Sequence, residues 1–265
     1  MRAARQWQLT VIALCMSAAL PAWAKMQQRP VEWQHDGTTF SGVLVYDDEG
    51  DARRPGVVMV PNWSGVNASA IAKAGQIAGD DYVVLVADVY GKNVRPKDSS
   101  EAAAASKPLR DDRALLRARA NAALEALKAQ AGRAPLDAGH IAAVGFCFGG
   151  TTVLEMARAG MPLAGVVSLH GGLSTPVPAA TGTGKVPMLV LNGAADQGVT
   201  GEDIAAFGKE MDGAGADWQF VNFSGAVHCF AESDANSPPG CLYDPRAAKR
   251  AWKMMDNFLE ERLGD

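Results

Sequence analysis

Short, nearly uninterrupted apolar runs recur along this chain, at residues 56–60, 82–87, 140–144, 163–169 and 186–191. Runs this brief and this continuous, without polar alternation, are what strands buried on both faces require. Between them lie segments with helical spacing. The longest, 111–131, places Leu116, Ala120, Leu124 and Leu127 on one face, and Gly132 supplies a stop. Strands alternating with helices in this way predict βαβ units, hence an α/β fold with a mostly parallel sheet covered on both faces. Residues 31–35 and 40–46 flank Asp36-Gly37-Thr38-Thr39 and predict a leading hairpin. A helix is expected over 67–78, 92–108 as a surface loop or small cap, and 174–185 as irregular loop. Asp244-Pro245 opens a last helix with Ala248, Trp252, Met255 and Leu259 on one face. No repeat or linker divides residues 25–265, which are expected to form a single domain.

In an open parallel sheet, reactive groups gather beyond the carboxyl ends of the strands. Gly145-Phe146-Cys147-Phe148-Gly149-Gly150 stands at one such end, between the 140–144 strand and a helix over 151–158. Glycines two places either side of a central residue permit a sharp strand-to-helix elbow that exposes its side chain. Here that residue is a cysteine. Asp196 follows the 186–191 strand and His228 follows the last strand, at 217–221. Nucleophile, acid, histidine is a chain order that supports covalent catalysis: His228 takes the thiol proton, Asp196 orients the imidazole, and the helix N-terminus favours the thiolate. Singly, Asp196 also suits a turn and His228 a loop; it is their joint position past strand ends that carries weight. The backbone N–H groups of Phe148 and Trp63 are the expected oxyanion hole, though Trp63 also suits a core lid.

Residues 1–24 combine Arg2 and Arg5, an apolar stretch from Leu9 to Leu20 and a terminal Ala22-Trp23-Ala24, the pattern of a cleaved signal peptide. A periplasmic or secreted protein without a stable membrane anchor is expected. Cleavage would remove Cys15 and leave Cys147, Cys229 and Cys241. Cys229 and Cys241 bracket a polar loop, 233–240, and are candidates for a loop-closing disulfide; alternatively Cys229 is a small buried hydrophobe. The net charge of −4, with no basic run, points away from nucleic acid. His35 and His170 lack ligands at metal spacing, and no phosphate-binding glycine motif occurs, so neither metal nor cofactor is expected. A monomer is expected.

Over essentially its whole mature length the chain resembles the dienelactone hydrolase family of α/β-hydrolases. The residues that carry this are Pro61-Asn62-Trp63-Ser64-Gly65-Val66-Asn67, Asp88-Val89-Tyr90-Gly91, the Cys147 elbow, Gly193 with Asp196, His228 with Phe230, and Trp252. The resemblance implies hydrolysis of small esters or lactones through a Cys147–Asp196–His228 triad and a thioester intermediate. It also implies a substrate pocket near Asn62, Tyr90, Lys92 and Phe230; His170, just after the 163–169 strand, either lines that pocket or, the better reading, is a structural histidine. The chain departs from the family where a glutamate is replaced by Asn62, and where substrate-binding arginines are replaced by Lys92 and Glu232. Dienelactone itself is therefore not the expected substrate. Two other classes compete with a hydrolase: a thiol-based redox-responsive protein, and a ligand-binding module on an inactive hydrolase scaffold.

Overall fold

The computed structural model describes residues 26–49 and 52–264. The N-terminal segment read as a signal peptide lies outside the described residues. The chain opens with β1 (Met26–His35) and β2 (Thr38–Asp47), an antiparallel hairpin paired from Met26 with Asp47 to His35 with Thr38. Its two-residue turn, Asp36-Gly37, has positive φ at both positions (47° and 70°), the geometry whose twist matches that of the flanking strands.

Six further strands follow: β3 (Arg54–Val60), β4 (Val83–Val86), β5 (Leu136–Phe146), β6 (Val166–Leu169), β7 (Met188–Gly193) and β8 (Trp218–Phe223). With the hairpin they make one sheet in the order β1-β2-β4-β3-β5-β6-β7-β8. β2 runs antiparallel to β4, and from β4 to β8 every pairing is parallel. Alternate residues of β3 feed opposite cores: Val58 and Val60 face one layer, Val57 and Met59 the other. All four are completely buried, each contributing about 1.5–3 kcal/mol of apolar burial.

Helices α2 (Ser99–Asp111), α3 (Arg113–Lys128), α4 (Phe148–Arg158) and α5 (Gly201–Ala214) pack on the first layer. Helices α1 (Ala68–Ala78) and α6 (Pro245–Leu263) cover the second, through Ala70, Ala74 and Ile77 and through Ala247, Ala251, Met255 and Leu259. A two-stranded pair, β9 (Asn236–Ser237) with β10 (Cys241–Leu242), decorates the loop before α6.

The structure corrects the reading of 92–108. Residues 99–111 form α2, capped by Asp98, whose side chain accepts from Glu101 N–H. Only Ala102, Ser106 and Leu109 of that helix are buried, so its apolar periodicity is faint even though its alanines favour helix. The helix expected over 111–131 is α3, Arg113–Lys128; Asp112 separates it from α2, and its side chain caps α3 at Leu115 N–H. Among the described residues, no helix is long and apolar enough to cross a membrane.

Candidate active site

The elbow is built by steric necessity. Cys147 joins β5 to α4 with φ 54° and ψ −116°, a conformation costly for a residue with a side chain. The turn is possible because its neighbours lack one. A Cβ on Gly149 would lie 2.6 Å from the Pro61 carbonyl oxygen and closer still to that of Val60. At Gly145 a Cβ would lie 2.6 Å from the Gly150 nitrogen and would collide with the Gly149 carbonyl. The helix behind is anchored by Glu155, which is fully buried and pairs with Arg117 at 2.7 Å and Arg158 at 3.1 Å. The thiol of Cys147 is thus held at the rim of the sheet by rigid elements.

Three strand ends converge there. His228 Nε2 lies 3.0 Å from Cys147 Sγ, and its Nδ1 donates to Asp196 Oδ2 at 2.6 Å. Asp196 is itself fixed by Gly198 N–H, which donates to Oδ1 at 2.8 Å. Burial works against charge on His228, but the hydrogen bonds and negative charges of Asp196 and Cys147 prevail and push its pKa up to about 10. Burial likewise opposes ionised Asp196, yet the bonds from His228 and Gly198 hold it below the usual carboxylate value. The arrangement sets an imidazole that favours its charged form between Cys147 Sγ and the Asp196 carboxylate.

Phe148 is the first residue of α4, so its N–H has no acceptor one turn back. Trp63 faces the same space from the loop after β3. That loop is held by Asn62 Oδ1, which accepts from Ser64 N–H at 3.1 Å, and by the Tyr90 hydroxyl, which donates to the Trp63 carbonyl at 2.9 Å. In front of Cys147 opens a cavity of about 430 Å³, with Asn62, Trp63, Arg110, His228 and Glu232 in its walls.

The remaining expected pocket residues are distributed differently. Asn62 is in the wall. Lys92 is not: its backbone N–H binds the Thr39 carbonyl and its side chain pairs with Glu32 at 2.7 Å, so it belongs to the hairpin. Tyr90 is buried behind the wall, stacked on Phe148 and supporting the Trp63 loop. His170 and Phe230 are completely buried, 5.5 Å apart ring to ring, beneath the elbow. Cys229 and Cys241 are joined as a disulfide that lines the cavity, and Cys147 is the free cysteine among the described residues.

Two wall residues escaped the sequence reading. Arg110 extends from α2 over the rings of Trp63 and Phe148, its guanidinium carbon 5.9 Å from each. Its helix carried no legible pattern, so nothing local marked it. Glu232 had registered only as an arginine that was missing; in space it accepts from Asn62 Nδ2 at 2.6 Å and pairs with Lys73 at 3.1 Å.

Comparison with known proteins agrees with this architecture. The sequence profile of the dienelactone hydrolase family matches residues 40–263. An uncharacterised protein of Caenorhabditis elegans is 35% identical over 158 residues, 55% of this chain and 93% of its own. A Bradyrhizobium protein named "Probable 2-oxo-3-(5-oxofuran-2-ylidene)propanoate lactonase" is 26% identical over 88% of this chain and 95% of its own. A solved dienelactone hydrolase-like promiscuous phosphotriesterase from metagenomic libraries is 36% identical and superposes with a TM-score of 0.83, over 90% of this chain and 99% of that one. With an α/β-hydrolase sheet, an elbow at the end of its β5 strand and a profile match spanning nearly all the described residues, the chain belongs to the dienelactone hydrolase family.

Proposed function

We propose that this carboxylic ester hydrolase acts on small esters or lactones by covalent catalysis at Cys147, with His228 as acid and base and Asp196 as its orienting partner. The observation that carries the reading is the unbroken line from Sγ through both imidazole nitrogens to Oδ2, with separations of 3.0 and 2.6 Å. The Cys147 thiolate attacks the carbonyl carbon, and the developing oxyanion is received by the N–H groups of Phe148 and Trp63. Collapse breaks the ester bond, with His228 protonating the departing alcohol oxygen, and leaves a thioester on Cys147. A water then gives its proton to His228 and attacks the thioester carbonyl; the carbon–sulfur bond breaks, the acid is released, and the thiolate beside protonated His228 is restored. The 430 Å³ cavity suits a small substrate.

The test is hydrolysis of short-chain aryl esters and lactones by the wild-type protein and Cys147→Ala. Activity lost in the variant is expected; equal rates would sink the proposal. An aryl phosphotriester belongs in the same panel, because the solved phosphotriesterase is 36% identical over 90% of this chain. The redox alternative is less favoured, since Cys229 and Cys241 are already paired with each other and leave Cys147 no resolving thiol among the described residues. Export is part of the same proposal; N-terminal sequencing of the mature protein, expected to begin after Ala24, tests it.

A further inference from the structure

His170 immediately follows β6 and lies fully buried behind the elbow, its ring edge-on to that of His228 at 5.1 Å. The backbone N–H of Cys147 is shared between the Leu169 carbonyl at 3.0 Å and His170 Nδ1 at 3.1 Å. A ring nitrogen that accepts carries no proton, and burial, reinforced by the charges of His228 and Lys73, keeps this ring neutral. Its single proton is therefore on Nε2. That nitrogen has no hydrogen-bond partner, and neither does Glu232 Oε1, which faces it at 3.8 Å. The other Glu232 oxygen is fully engaged, by Asn62 Nδ2 at 2.6 Å and by Lys73 at 3.1 Å, and Lys73 also pairs with Asp234. A buried donor and a buried acceptor, each unmatched, thus face each other one ring away from the Cys147 amide.

We infer that Glu232 and His170 are a positioning couple for the nucleophile. The Glu232 carboxylate keeps the His170 proton on Nε2, which leaves Nδ1 free to accept from Cys147 N–H and pin the elbow at its positive φ. The inference rests on Cys147 being the nucleophile. It explains why a carboxylate is kept at the cavity wall with one oxygen unpaired: its role toward His170 is electrostatic, and Lys73 and Asn62 hold it in place.

Glu232→Gln makes a sharp test, because Asn62 and Lys73 both donate to the Oε2 position. The amide oxygen must take that position, so the NH₂ group turns towards His170 Nε2. A donor facing Nε2 drives the ring proton to Nδ1, where it opposes Cys147 N–H. Nitrogen-15 NMR of histidine-labelled protein reads the tautomer directly. Wild type is expected to show His170 protonated on Nε2 and Glu232→Gln on Nδ1, with kcat for an aryl ester lower by about tenfold and KM unchanged. Glu232→Leu removes the carboxylate without adding a donor, so the preference for Nε2 should weaken to a mixture of tautomers, with less activity lost than in the isosteric Gln. A purely structural Glu232 would give the reverse order, with Leu the more damaging. That reverse order, or an unchanged tautomer in Glu232→Gln, overturns the inference. If the wild type hydrolyses no ester, the hydrolase proposal falls by itself, and the tautomer measurement still decides this one.

Discussion

Cutting the Cys229–Cys241 disulfide, by Cys229→Ser with Cys241→Ser, separates the energetics of this site from its chemistry. The bond closes a loop of sequence separation 12, and the chain-entropy relation assigns such a loop about 3 kcal/mol of stabilisation. For a domain of this size that corresponds to a fall in Tm of roughly 6–12 °C. The disulfide begins at the residue after His228 and holds Cys229 at φ 61°. It is not the sole restraint, because Leu242 N–H donates to the His228 carbonyl and Asp244 N–H to that of Phe230, both at 3.1 Å. The double variant should therefore melt well below wild type while losing less than about tenfold in kcat at 25 °C, since those backbone bonds, each worth about 1 kcal/mol, persist. The assay is a thermal melt in non-reducing buffer beside initial rates on an aryl ester. A Tm within about 2 °C of wild type would refute the loop-closure argument. A collapse of kcat with unchanged melting would show instead that the disulfide itself takes part in the chemistry.

Two further outcomes follow from the elbow and from the charge line. Gly149→Ala drives a methyl group into the Val60 and Pro61 carbonyls of β3 and its loop, so it should cost about 3 kcal/mol or more; a denaturation midpoint equal to wild type would show that the sheet and α4 yield more easily than their packing implies. The pKa of His228 is raised to about 10, above its ordinary value of 6.5, so the stability its charge confers is fully present below 6.5 and is lost as pH rises through about 10. The basic limb of ester hydrolysis should lie in the same range. Asp196→Asn removes one of the groups raising that pKa, so the limb should move towards neutrality; a limb that stays in place in the variant pH–rate profile would show that Asp196 does not support the imidazolium.

The hairpin, the strand–helix alternation and the last helix were legible because their signals are local. Asp36-Gly37 carries its own turn geometry, and Asp244-Pro245 its own cap. The 99–111 helix was not legible, because only three of its residues are buried and the rest give no stripe. Arg110, which that helix delivers to the cavity, was hidden with it. Lys92 was misplaced for a related reason: its sequence neighbours suggest the cavity, but a backbone bond to Thr39 and an ion pair to Glu32 tie it to the hairpin.

The elbow marks the division most clearly. Gly145 follows from steric exclusion within a few residues, by Gly149 and Gly150, and the strand–turn–helix pattern exposes the residue at its centre; Gly149 is excluded from a side chain by the distant Val60 and Pro61 carbonyls. The acid and histidine past later strand ends follow from the rule that parallel strands share one reactive edge. What needed the folded chain was the surroundings of that edge: Glu232, 170 residues beyond Asn62, turned in against its amide, and His170 lodged beneath the nucleophile's own N–H. Such contacts join residues far apart in sequence through the register of several strands, and no local pattern encodes a distance that only packing sets.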